Sequence, residues 1–179
     1  MKKAPDLSTA RPRFTDVKLY SHSRGHLTFW YPPQWHLQEV ETPHLMVTLL
    51  PNQQDVATHL TIEVKDIQAP LAEDERPIIA DGIREGLTQF DDLVVDSWRE
   101  LGQDEVGHWG LEWVCRFSDD NEQRKRRARL FFSERNLYSI ICQGKTESHY
   151  QHWQGMFEFV LLTVGVKQFS ASSWLQAQS

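Results

Sequence analysis

The sequence predicts an α+β domain, an α/β/α sandwich whose central, mainly antiparallel sheet is covered by helices. Three observations carry this. Period-two alternation of apolar residues recurs along most of the chain, as half-buried strands require. The period switches to helical spacing twice, once midway and once near the end. A late strand is apolar on both faces, so it must sit centrally and be covered on two sides.

Residues 1–15 hold Pro5, Pro12 and scattered polar residues without periodicity and read as a mobile tail. The domain is expected over 16–166. "HLTFWYPPQWHLQEV" gives one strand, a break at Pro32 and Pro33, and a second strand beginning near Trp35, read together as a tight hairpin. Leu45, Val47 and Leu49 alternate with His44, Met46 and Thr48 until Pro51 stops the run. Leu60, Ile62 and Val64 alternate with Thr61, Glu63 and Lys65 in the cleanest strand pattern.

After Pro70, Ile79, Ile83, Leu87 and Phe90 fall on one helical face, with acids crowding the first turn and Pro77 placed where a helix tolerates it. Four strands follow, in "LVVDSWREL", "HWGLEWVCRF", "RRARLFFSE" and "NLYSIICQ", with the turn residues of "SDDNEQ" closing a hairpin between the second and third. In the last, Leu137 and Ile141 face one way and Tyr138, Ile140 and Cys142 the other. Thr146 is placed to cap a final helix that turns Tyr150, Trp153, Phe157, Val160, Leu161 and Val164 inward. Residues 167–179 form a second tail, apolar only at Phe169, Trp174 and Leu175.

Composition bounds the function. The 179 residues suit one domain with its own core, and 40% hydrophobic and 25% charged residues exclude a disordered or fibrous class. Cys115 and Cys142 stand singly in apolar runs, which indicates neither a disulfide framework nor a zinc ribbon. No apolar stretch reaches membrane-span length and no signal-peptide pattern follows Met1, so a cytoplasmic location is expected. The net charge of −6 argues against general affinity for nucleic acid.

The order of elements, with "FWYPPQW" early and "NLYSIICQGKTESHYQHWQGMFEFVLLTV" late, resembles the PsbP-like superfamily over Lys18 to Val166. That superfamily includes a photosystem II extrinsic protein, a Ran-binding nuclear import factor and bacterial DcrB-like proteins. Tyr31, Pro32 and Trp35 match its early aromatic strand and corner; Tyr138 and the segment from Trp153 to Val164 match its late strand and final helix. The resemblance implies the fold and a binding or assembly role, and its DcrB-like branch implies a carrier of hydrophobic segments. It assigns no functional residue, because one scaffold serves different activities.

Chemistry is sparse. There is no GxSxG elbow, P-loop or GxGxxG. His149 and His152 share a helix face at i, i+3, and His22 and His26 flank a glycine, but no carboxylate is fixed beside either pair by sequence spacing. No metal, no cofactor and no catalysis are therefore expected. The pointed feature is "QRKRRAR", where Lys125, Arg127 and Arg129 share one strand parity. It reads either as a docking surface for a protein partner or as a solvated face paired across the strand with Glu112 or other acids. Between Leu71 and Glu100 nine acids, Glu73 and Asp74 among them, stand against Arg76, Arg84 and Arg99, and those on the helix give it an acidic face separate from the basic strand face. Trp35, with Trp174 and the final helix, is the candidate lining of an apolar groove.

Overall fold

In the computed structural model, residues 12, 16–22, 27–102 and 109–166 are described. The alternating segments become β1 (Lys18–His22), β2 (Leu27–Tyr31), β3 (His36–Val40), β4 (Leu45–Leu50) and β5 (His59–Asp66). A 3-10 turn, Glu73–Glu75, leads into α1 (Arg76–Leu87). Then come β6 (Asp91–Leu101), β7 (Gly110–Asp119), β8 (Glu122–Ser133), β9 (Asn136–Gly144), α2 (Glu147–Thr163) and the two-residue β10 (Gly165–Val166).

Seven strands pair in the order β3-β4-β5-β9-β8-β7-β6, every neighbour antiparallel. As its two apolar faces require, β9 lies at mid-sheet. Tyr138, Ile140 and Cys142 are buried on the side covered by α2, while Ile141 packs with the α1 side. The β7–β8 connection is a two-residue loop, Asp120 and Asn121, with φ of 51° and 62°. Positive φ at both positions is the backbone twist a two-residue hairpin needs, and Asp and Asn tolerate it best after glycine.

One expectation is corrected. The residues around Pro32 and Pro33 do not close a hairpin: β2 pairs with β1 and β10, whereas β3 pairs with β4. The prolines offer no N–H to a ladder. A turn in which Trp35 N–H donates to the Pro32 carbonyl at 3.0 Å carries the chain from the small sheet, β1-β2-β10, to the edge of the large one. Trp35 then drops into the core, edge-on to Trp153 and Phe157.

The helices lie on opposite faces, giving the α/β/α sandwich. On one face α2 packs Tyr150, Met156, Phe157, Val160 and Leu161 against β4, β5, β9 and the inward residues Leu27, Phe29 and Tyr31 of β2. Thr146 caps the helix as expected, its hydroxyl accepting from the His149 N–H at 3.3 Å. Just before it, a Cβ on Gly144 would meet the backbone nitrogen of Tyr150 at 2.4 Å, so only glycine lets β9 pass under the first turn. On the other face α1 rests Ala80, Ile83 and Leu87 on Leu111, Trp113, Cys115 and Phe117 of β7.

Candidate functional site

Because side chains alternate along a strand, Lys125, Arg127 and Arg129 point to the α2 face of β8, and Arg126 to the α1 face. Arg126 is thereby absorbed into the packing: its guanidinium lies over Phe117 and Phe90, at 4.7 and 5.1 Å from the ring centroids, and donates to Gln143. The other three converge on acids. Glu112 of β7 sits directly across from Arg129 on one side and from Arg99 of β6 on the other.

Glu112 is 5% exposed and its carboxylate is enclosed by three guanidinium groups. Oε1 accepts from Arg99 Nε at 3.0 Å and Nη2 at 2.9 Å; Oε2 accepts from Arg129 Nε at 2.9 Å and Nη2 at 2.7 Å. Arg127 Nη2 reaches both oxygens at 3.0 Å. Burial alone would raise this carboxyl's pKa, but the bonds from Arg127 and Arg129, followed by the Arg129 charge and the Arg99 bond, outweigh it and hold the pKa at about 2. Arg127 also approaches Glu158 of α2 at 3.7 Å, and Lys125 donates to Glu147 at 3.0 Å. Arg99, Arg127 and Arg129 thus meet Glu112 and Glu158 in one connected cluster, with Lys125 paired to Glu147 on the same face.

On this face α2 packs against β8 and β9. Next to the cluster lie Val94, 44% exposed, the exposed Ser97, and Arg116 in a two-pronged pair with Asp96 at the irregular part of β6. The arginines are braced by Glu112 and need no reordering to receive an anion. Glu112 is ionised and saturated with donors, which disqualifies it as a base, and burial pushes the thiols of Cys115 and Cys142 up.

The other sequence candidates fall elsewhere. Glu73, with its side chain 87% exposed, pairs with Arg76 at 3.5 Å, and Asp74 is exposed beside it; both precede α1 on the opposite side of the sheet from the cations. Trp35 is 3% exposed, so it belongs to the core and offers no docking surface. Trp174, Phe169, Leu175 and His26 lie outside the described residues. His149 is held by Thr146, its Nδ1 2.7 Å from the hydroxyl, and His152 stands edge-on to Trp153. A hollow of about 500 Å³ beside α2 is bordered by Pro12, Gln151, His152, Gln154, Met156 and Glu158, a mixed polar and apolar lining.

At the level of sequence, no family model and no curated protein matches this chain. Solved structures do. The solution structure of cyanobacterial PsbP (CyanoP) from Synechocystis sp. PCC 6803 superposes with a TM-score of 0.59 at 15% identity, over 84% of this chain and 92% of that one. The fold is PsbP-like. LpqN of Mycobacterium tuberculosis, described as involved in cell envelope biogenesis, shares the PsbP-like arrangement at TM-score 0.55 and 10% identity, over 86% of this chain and 91% of its own. The Ran-binding protein Mog1p of Saccharomyces cerevisiae matches at TM-score 0.50 and 11% identity, over 84% and 95%. At such identities the shared property is the PsbP-like fold alone.

Two groups escaped the sequence reading. Arg99 was counted within an acidic stretch, although its strand parity in "DSWRE" would have placed it opposite Trp98, away from the α1 side. Tyr20 lies on β1 of the small sheet, Glu39 on β3 of the large one and Glu41 just after β3, positions that local spacing cannot relate. Yet the Tyr20 hydroxyl donates to Glu39, and His22 lies 3.5 Å from Glu41 and 3.9 Å from Glu39.

Proposed function

We propose that this protein is a non-catalytic binding or assembly module that docks an acidic segment of a protein partner on the arginine-bearing face of β6, β7 and β8. The observation that carries the reading is the convergence of Arg99, Arg127 and Arg129 on the buried Glu112, which holds three guanidinium groups in place around one carboxylate. Arg99 supplies the accessible edge, its side chain 49% exposed; Lys125, Arg127 and Arg129 supply the field behind it. Glu73 and Asp74, on the far side of the sheet, serve as a second surface of opposite sign. The Ran-binding activity named for Mog1p lends the reading an analogy on the same fold.

The free, buried Cys115 and Cys142 agree with a reducing compartment, and we assign the protein to the cytoplasm. Among the described residues no helix is long and apolar enough to cross a membrane. Reversing Arg99, Arg127 or Arg129 would leave Glu112 facing a like charge and disturb the sheet, so the neutral Arg99→Gln, which leaves Glu112 its bonds from Arg127 and Arg129, is the informative variant. It should reduce recovery of partners from native extract, in a salt-sensitive manner, while Glu85→Lys on α1 leaves recovery intact. Equal recovery with Arg99→Gln and the unaltered chain would count against this surface.

A further inference from the structure

We propose that His22, Glu39 and Glu41 form a zinc-binding site that ties the edge strand of the small sheet to the edge strand of the large one. His22 ends β1, Glu39 lies in β3, and Glu41 follows β3 by one residue. Their ligating atoms all lie within 4.8 Å of one another, with His22 Nε2 3.5 Å from Glu41 Oε1 and 3.9 Å from Glu39 Oε1. A tetrahedral zinc ion with bonds of about 2.0–2.2 Å sets neighbouring ligand atoms roughly 3.3–3.6 Å apart. The His22–Glu41 separation already fits, and with every separation at or below 4.8 Å side-chain movements of up to about an ångström would admit the ion.

The surroundings favour this geometry. The His22 side chain is 12% exposed and its Nδ1 is enclosed, so Nε2 is the ring atom presented to the carboxylates. Glu39 is oriented from behind: its second oxygen accepts from the Tyr20 hydroxyl. Such a partner fixes a ligand's direction and tunes its basicity. Glu41, 49% exposed, stands on the solvent side. It also borders a cavity of about 400 Å³ with His22, His44 and Asp66, which leaves room for water in a fourth position. One imidazole and two carboxylates are a mixed nitrogen and oxygen set, better suited to zinc than to calcium or magnesium, which prefer oxygen alone.

The inference is independent of the partner-docking reading, since the two sites share no residue. Its test uses the full 179-residue chain, without a polyhistidine tag and stripped with chelator, titrated with Zn²⁺ in competition with a chromophoric chelator at neutral pH. About one equivalent should bind, and zinc at about a hundredfold over its Kd should raise the Tm by roughly 5–10 °C. Glu41→Gln, at an exposed position that leaves the fold intact, and His22→Ala, checked for folding by circular dichroism, should each weaken binding by about tenfold or more. His149→Ala with His152→Ala should not. Absence of zinc binding, binding indifferent to Glu41→Gln and His22→Ala, or tighter binding of Ca²⁺ than Zn²⁺ would overturn the proposal.

Discussion

The two helices cover the same sheet unequally. Helix α2 has a side-chain cap and buries five residues, Tyr150, Met156, Phe157, Val160 and Leu161. Helix α1 has no side-chain cap, carries Gly82 and Gly86 with no neighbour within 4 Å of an added Cβ, and buries only Ala80 and Leu87. The contrast follows from what each helix covers. The α2 side receives buried apolar residues from β2, β4, β5 and β9 together, whereas on the α1 side the sheet's buried apolar residues come from β7 with Ala128 of β8. Local stability should differ accordingly, with α1 near the low end of the range.

Substitutions test the comparison from its strongest point. Phe157→Ala empties a fully buried site under α2 and should cost about 3–5 kcal/mol in chemical denaturation. Leu87→Ala should cost about 2–3 kcal/mol, because α1 can settle towards the sheet. Equal losses would remove the asymmetry.

Glu112 tests the charged face between them. Removing one member of an enclosed ion cluster leaves its partners unbalanced, so Glu112→Ala should cost about 3 kcal/mol. Because the folded carboxyl titrates at about 2, below its unfolded value of 4.5, its contribution is complete above about pH 4.5. As pH falls from there towards about 2, roughly 3 kcal/mol should be lost. Acid titration of stability should show that loss in the unaltered chain and a flatter slope over the same window in Glu112→Gln.

The smallest effect has the opposite sign. Gly82→Ala adds a methyl group into open space on an exposed helical position and should stabilise by about 0.5–1 kcal/mol. A gain confined to the exchange protection of α1 amides would sharpen the view of α1 as the weakly tied element.

Much of this architecture was legible because periodicity is a local property. The alternation in "HLTIEVK" and the helical spacing of Ile79, Ile83 and Leu87 each declare a face without knowledge of what lies opposite. The double-sided pattern around Tyr138 placed β9 inside the sheet. Pairing across sequence distance was less readable. "KLYSH" is too exposed to announce β1, and nothing local tells whether the chain after Pro32 and Pro33 folds back or changes sheets. The candidate site divides in the same way. The parity of Lys125, Arg127 and Arg129, and Glu112 as an available partner, could be read from neighbouring strands. Arg99, and the meeting of His22 with Glu39 and Glu41, depend on strands brought together by the tertiary fold.

The central claim is that the arginine-bearing face of β6 to β8 receives a partner. Its most direct measurement is photo-crosslinking in cells from a benzophenone side chain at Ser97, beside Arg99 on that face, compared with one at Glu85 on α1. A discrete crosslinked protein from position 97 that is lost or reduced with Arg99→Gln, and none from position 85, is the predicted result. Crosslinks of equal yield from both positions, or none from position 97, would contradict it.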